Sequence, residues 1–374
     1  MPQEGLSITR YFADLPDPRV DRTKKHRLAD ILAIALCAVI AGADSWEGVE
    51  RFGRAKEAWL RQFLALPNGI PSHDTFYRLF ARIDPRKFGA CVSMWMTAVC
   101  RATGLRHIAI DGKAVRAAPG DTFSGCLHLV NAWAAENRLI LGQEPVAAGS
   151  HEIAAIPELL KLLALKGALV TIDAAGCQKE IARQVRGEGG DYSLAVKGNQ
   201  PSLHEAVLGV FDNACEADFA GFEHDGHEEV EDGHGRHEER YVTVIYDPDG
   251  LPPEWPDVAA VVLVGRERAV KGTNTSTAHY YITSLRRTAE ELGRLVRRHW
   301  SVENELHWVL DVAFGEDSNR TAAGHAGVNL GLIRRVAASL LQQDPGKGSI
   351  KAKRLSAALD ESYLMRVLQG FPTN

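Results

Sequence analysis

The stretch ALVTIDAAGCQKEIARQVRGEGGDYSLAV, residues 168–196, decides the fold class. Residues 168–172 form an almost continuous apolar run, short for a helix and typical of a strand covered on both faces. The run stops on Asp173. A helix is expected from about 176 to 186, followed by a second strand, DYSLAV. Strands alternating with helices in this way predict an α/β domain.

The same alternation extends outward. Upstream, HIAIDGKAV reads as an apolar strand ending on Asp111, and residues 127–147 read as two strands joined by a tight turn at Glu136-Asn137. A helix is expected over 151–167 and another from Pro201. The order is therefore three strands, helix, strand, helix, strand, helix. Residues 215–286 hold an acidic segment and three strand-like runs, a β-rich insertion. Residues 28–100 read as four helical segments broken at Gly42, at PNGIPS and at Asp84-Pro85. The third is short, with Ser72 or Asp74 as N-cap and with Arg78 and Arg82 spaced i, i+4. It could be the recognition helix of a helix-turn-helix unit or one helix of a small bundle with solvated arginines. A last helix is expected over 328–342, before a basic tail containing GKGSIKAKR.

The chain has 374 residues, 45% hydrophobic and 24% charged, as expected of a multidomain globular protein. No apolar run is long enough to span a bilayer and the start lacks a signal-peptide pattern, so a cytoplasmic protein is expected. Six cysteines without a CxxC pair argue for structural thiols. The net charge of −5 hides an asymmetry: residues 205–257 carry a local net of −14, which leaves +9 on the rest. Such a remainder permits a polyanionic partner. Four histidines between 224 and 237 have metal-like spacing, but they are crowded with acids and have no Cys among them, which argues against zinc.

One residue breaks the pattern of the helix through RRHWSVENELHWVLD, residues 297–311. At 100° per residue Glu303 falls on the apolar face with Leu292, Val296, His299, Leu306 and Leu310. Burying an unpaired carboxylate costs several kcal/mol, so pairing, protonation or a metal is expected there. Asp111 and Asp173 stand at strand ends and Glu303 on a helix face. Three converging carboxylates favour cations between them, and Mg²⁺ or Mn²⁺ suits such oxygen donors. Two such ions would serve phosphoryl transfer. The plain alternative is that both aspartates only cap turns. Trp300 is expected in the core and Trp308 on the surface.

AIDGKAVR, SHEIAAIPELL, VTIDAAGCQKEIA, GGDYSLAVKGNQPSLHE, GHGRHEER, RRHWSVENELHWVLDVAFGEDSNR and HAGVNLGLIRRVAASLL together closely resemble the DDE transposases of bacterial insertion sequences, of the ISAs-type and H-repeat-associated group. The resemblance covers nearly the whole chain. It implies an RNase H-like mixed sheet with flanking helices, interrupted by a β-rich insertion and preceded by an all-helical N-terminal domain. The corresponding segments are 1–104, a helical domain binding DNA ends; 105–214 and 287–345, the catalytic core; 215–286, the acidic β-rich insertion; and 346–374, the basic tail. It also implies that Asp111, Asp173 and Glu303 are catalytic and hold two Mg²⁺ or Mn²⁺ ions, which activate water or a DNA 3′-hydroxyl. Its partners would be terminal inverted repeats and target DNA, bound by a homodimer, with no membrane. Wider relatives carry Tyr, Arg and Lys around the glutamate where this chain has Val296, His299 and Leu310.

Lys113, Arg116, Lys197 and Asn199 follow strand ends and are candidate phosphate contacts, as are Arg236 and Arg240, which alternate along a strand, His299, and Arg78 and Arg82. His307 is either a supporting ligand or a packed histidine. The alternatives to a transposase are a recruited or inactive DNA-binding relative and an RNase H-like nuclease.

Overall fold

The computed structural model describes residues 10–101, 107–119, 126–233, 236–270, 273–321 and 323–369. By contact the chain forms two units: Met1–Leu105, Gly112–Leu163 and Val302–Asn374 make the first, Arg106–Asp111 and Ala164–Ser301 the second. The helical N-terminal segment thus belongs to a larger unit, together with parts of the middle and end of the chain.

The first unit is built around α1 (Leu28–Ile40), whose residues are apolar on every side and buried from Asp30 onward. Asp30 itself accepts the Leu66 N–H at 3.0 Å, so its charge is not left bare. The single helix expected over 45–66 is broken at Lys56 into α2 (Trp46–Ala55) and the short α3 (Glu57–Leu60). Ser72 does precede α4 (His73–Phe80), but its side chain makes no cap bond. Glu50 of α2 takes that role, accepting the His73 N–H at 2.7 Å. After α5 (Pro85–Arg101) comes β1 (His107–Pro119), which does not end on Asp111 as the sequence predicts but runs eight residues further. β2 (Cys126–Ala134) and β3 (Leu139–Pro145) form the expected hairpin, with Ala134 opposite Leu139 and Arg138 in the left-handed region at φ 52°. α6 (Glu152–Leu160) is shorter than expected.

The second unit is a mixed sheet. The first four residues of β1 pair in parallel with β4 (Leu169–Ile172), and β4 pairs in parallel with β5 (Asp191–Val196) after the crossover helix α7 (Lys179–Gly187). α8 (Pro201–Glu216) leads to the insertion, β6 (His224–Gly233), β7 (Arg236–Tyr246), β8 (Ala260–Val270) and β9 (Thr273–Thr283). These strands extend the sheet in the order β1-β4-β5-β9-β8-β7-β6. The acidic strand β6 has no apolar alternation to announce it. It forms because β7 offers it a complete antiparallel ladder from His224↔Ile245 to Gly233↔Arg236. α9 (Ala289–His299) packs Ala289, Leu292 and Val296 on Val242, Val244, Val262 and Tyr281. Its start is a capping box of Thr288 and Glu291.

The helix expected to continue through residue 311 is interrupted. Val302–His307 form a π-helical turn, followed by α10 (Trp308–Phe314), which ends at Gly315 with φ +58°. α11 (Ala326–Gln342) is buried almost throughout. The residues expected to form a basic tail instead make α12 (Ile350–Leu359) and α13 (Glu361–Gln369). Arg354 of α12 is buried, donates to Val39 O and Asp44 Oδ1, each at 3.0 Å, and stacks 4.2 Å over the Phe314 ring. Among the described residues no helix is long and apolar enough to cross a membrane.

Gly265 of β8 lies directly opposite Tyr241 of β7, whose ring covers it: a Cβ at 265 would stand 1.9 Å from the Tyr241 Cζ. Gly265→Ala must therefore displace the ring. It is expected to destabilise the second unit by about 1–3 kcal/mol in denaturant unfolding; an unchanged midpoint would refute this packing.

Candidate functional site

In the second unit the β1/β4 register is His107↔Leu169 through Ile110↔Ile172. Asp111 and Asp173 each follow directly on the last pair. Parallel neighbours in register point their side chains the same way, with strands about 5 Å apart, so the two positions are adjacent where the β1/β4 ladder ends, Asp173 just past β4 and Asp111 within β1. The strand end expected at Asp173 holds and the one expected at Asp111 does not; the register adds that the two positions are neighbours. Asp173 also accepts the Gly176 N–H at 3.2 Å, which holds the turn after β4. The turn-capping role and a ligand role therefore coexist, since a carboxylate has a second oxygen.

Asp173 and Lys197 line one small cavity with His279, Tyr281, His299 and Trp300. Lys197 is exposed at the end of β5, while Asn199 donates to Ala174 O at 2.7 Å and so steadies the Asp173 turn. His299 does not serve as the cationic phosphate contact expected of it. It is buried, and its Nδ1 lies 2.9 Å from Thr171 Oγ1, which lies 2.8 Å from His107 Nε2. Burial pushes His299 down to about 4 despite the opposing pull of Asp173, and pushes His107 down to about 3. Both rings are neutral near pH 7 and tie the strand that carries Asp173 to β1 and α9. Trp300 is 41% exposed, not core.

Arg240 of β7 is held by Glu231 at 3.0 Å and by the buried Glu238, so its charge is already paired. Arg236 begins the same strand.

In the first unit Glu303 lies in the π-turn and is exposed. The expected burial on the apolar face is therefore corrected. A π-turn bonds i to i+5 and so resets the helical phase, and Val302 takes the inward place that a straight helix would give Glu303. Such turns are frequent at functional sites, which replaces burial as the local argument for Glu303. His307 closes the turn: Asn131 Nδ2 lies 3.4 Å from its Nε2, and burial, then Arg335 and Lys113, push it down to about 3. Trp308 is exposed, as expected.

Lys113 is not a free phosphate contact. It is 7% exposed and its Nζ donates to Asp311 Oδ2 at 2.8 Å. Arg116 is largely exposed, with Asp317 3.5 Å away. Arg78 and Arg82 are exposed on and just after α4, Arg78 facing Asp74 at 3.4 Å. Sequence reading missed Thr171, His107 and the buried Arg335–Glu316 pair. The two adjacent arginines inside the apolar run of α11 were a usable signal, of the same kind that marked Glu303.

Adjacent carboxylates are the donor chemistry that Mg²⁺ and Mn²⁺ take. Taken singly, neither unit contains, among the described residues, a group of three or more His, Cys, Asp or Glu able to hold a metal.

The neutral histidines make a pH prediction. A histidine whose folded value lies below its unfolded 6.5 gives stability that is complete above 6.5 and is lost as pH falls towards the folded value. Each buried histidine should thus cost about 1 kcal/mol between pH 7 and 5.5. His299→Gln is expected to flatten that loss in denaturant titrations at the two pH values; an equally steep loss would show that His299 is not the titrating group.

Two family models match this chain: residues 9–96 match a DDE_Tnp_1-associated domain and residues 102–341 the Transposase DDE domain. The chain is 38% identical, over 97% of its length and 94% of the relative's, to "Putative transposase YncI" of Escherichia coli O157:H7. It is 37% identical, over 98% of its length and 99% of the relative's, to "H repeat-associated putative transposase YhhI" of Escherichia coli K12. It is also 42% identical to "Inactive transposase YbfQ" of Escherichia coli K12, over 21% of its length and 87% of the relative's. With a DDE domain matched over most of the chain and end-to-end likeness to these proteins, the chain belongs to the DDE transposase family, in its H-repeat-associated group.

Proposed function

We propose that this protein binds the terminal inverted repeats of an insertion sequence and catalyses metal-dependent cleavage and strand transfer of DNA. The single observation that carries the reading is the β1/β4 register, which sets Asp111 and Asp173 side by side in a chain of this family. Three strands followed by α6, β4, α7, β5 and α8 support an RNase H-like core, with β6–β9 as its insertion. Asp111, Asp173 and Glu303 are the three acids of the DDE motif in this reading, and their carboxylate oxygens would hold two divalent ions. When bound, such ions supply activation of water or a DNA 3′-hydroxyl and stabilise the entering and leaving oxygens of the phosphodiester.

The chain's own residues orient the DNA. Lys197, beside Asp173 in the same cavity, is placed to contact a phosphate, and exposed Arg116, Arg78 and Arg82 add sequence-independent contacts. The turn after β4 keeps Asp173 fixed through Gly176 and Asn199, so its second oxygen stays available. Joining two element ends calls for two copies, and a homodimer on DNA is part of the proposal.

Purified protein with end-containing DNA and Mg²⁺ is expected to nick the ends and join them to target DNA. Asp111→Ala, Asp173→Ala or Glu303→Ala each removes several kcal/mol of transition-state stabilisation and should lower the rate at least about a thousand-fold. Full activity in any of the three would sink the assignment of that acid. The named inactive relative favours a second reading, a DNA-binding protein without catalysis. Equal Mn²⁺ binding by wild type and an Asp173→Ala, Glu303→Ala double variant would support it.

A further inference from the structure

α11 carries two side chains, seven residues apart, that act on the π-turn bearing Glu303: Gln342 directly, and Arg335 by way of Asn131. Arg335 is completely buried. Its Nη1 and Nη2 donate to Glu316 Oε1 and Oε2 at 2.6 and 3.3 Å, and Nη1 also donates to Gly331 O at 3.0 Å. Gly331 leaves the space for this, since a Cβ there would lie 3.2 Å from Nη1 and 3.3 Å from Leu129 Cδ1. The remaining direction of the guanidinium is used by Nε, which donates to Asn131 Oδ1 at 2.6 Å.

That bond fixes the Asn131 amide. With Oδ1 committed to Arg335, the amide nitrogen faces His307 Nε2 at 3.4 Å. An amide nitrogen only donates, so Nε2 must accept and the ring proton sits on Nδ1. The neutral ring is thereby selected in one tautomer at the last residue of the π-turn. Two turns along α11, Gln342 Nε2 donates to the Glu305 carbonyl in the middle of the π-turn. Arg138 engages the Glu305 carboxylate at 3.1 Å. The turn is therefore held by side chains from outside it at Glu305 and at His307, both shortly after Glu303.

We propose that Arg335, Asn131 and Gln342 are positioning residues that impose the π-turn and so set where the Glu303 carboxylate stands. Without them the segment Ser301–Phe314 has the sequence of an ordinary amphipathic helix, which would carry Glu303 round to the apolar face. The buried ion pair is the rigid end of the device. Its two partners satisfy one another, and the geometry it imposes passes through Asn131 to His307.

The proposal rests on Glu303 being a carboxylate of the reacting centre, and its test separates the two claims. Asn131→Leu and Gln342→Leu remove the amide bonds and change neither partner of the Arg335–Glu316 pair. Backbone hydrogen exchange of full-length protein without metal should become at least about tenfold faster across 302–307, with exchange in α1 and β4 unchanged. In the DNA nicking assay both variants should lose roughly 10–100-fold in kcat and need more Mg²⁺ for half-maximal rate. KM for DNA should stay as in wild type, an outcome that general loosening of the fold would not give. Unchanged exchange at 302–307 in both variants would overturn the anchor. Faster exchange with unchanged kcat and Mg²⁺ requirement would overturn its effect on Glu303. Should Asn131→Leu fail to fold, Gln342→Leu, at the half-buried end of α11, decides alone. A wild-type protein without nicking activity would count against the transposase reading, while the exchange arm would still decide the anchor.

Discussion

The parallel register between β1 and β4 is the constraint on which the candidate chemistry depends. Side chains alternate between the faces of a strand, so a one-residue slip would send Asp111 and Asp173 to opposite sides of the sheet. The slip is prevented by what surrounds the pair. His107–Ile110 and Leu169–Ile172 are buried on both faces, so apolar burial holds the two strands together without by itself distinguishing their faces. His107 and Thr171 add a polar lock, because their side-chain bond at 2.8 Å exists only in this register. Thr171 then extends the lock to His299 at the end of α9. Hydrophobic burial holds the pair together, and the polar bonds favour this register.

The first unit solves a different problem, that of carrying charge in its interior. Arg334, Arg335 and Arg354 are all at or below 5% exposure, a costly arrangement unless each cation is satisfied. Arg335 has Glu316, and Arg354 has Asp44 and two carbonyls. These pairs join segments far apart in sequence: α12 to the end of α1, and α11 to the turn after α10. Gly315, in the left-handed region, is what lets the chain reverse sharply enough for Glu316 to face α11. Lys113 belongs to the same logic, pinning Asp311 on α10 to the continuation of β1. Buried pairs of this kind add modest net stability but are strict about geometry, which suits segments whose position matters more than their strength.

Much of this was legible in the sequence. Apolar runs located β4 and β5 closely, and α1, α4, α5, α8 and α11 within a few residues, because each buries a continuous face. The misreadings share a cause. β6 has no apolar face, since its pairing comes wholly from the β7 backbone, and residues 350–369 were taken for a tail because their lysines hid helices anchored by Arg354. β1 continues past Asp111 since a change in the partners of a strand leaves no mark on its own composition. At the site, the two aspartates were visible as charges closing apolar runs. The adjacency of the two was not, because register is a relation between segments. Extrapolating a constant 100° per residue put Glu303 inside, and the π-turn that moves it outward is imposed by side chains from elsewhere.

The acidic segment shows the same limit in the count of charge. A window over residues 205–257 totals −14, yet many of its acids are neutralised by cations lying outside the window. Arg297 pairs with Glu229, Arg286 with Glu223 and Asp247, and Arg186 with Asp257 at 2.9 Å. Inside it, Arg240 takes Glu231 and Glu238. The field of the segment is therefore weaker than its composition states, and the +9 assigned to the rest of the chain is overstated by the same pairs. Five of the acids sit on β6, the edge of the sheet. Charges there oppose edge-to-edge pairing with another chain, a need that any sheet ending in a ten-residue strand must meet. The acidity of this segment is thus accounted for by the sheet edge and by the arginines that fasten the insertion to α7 and α9. A polyanionic partner is left to the exposed cations outside it, among them Lys197, Arg116, Arg78 and Arg82.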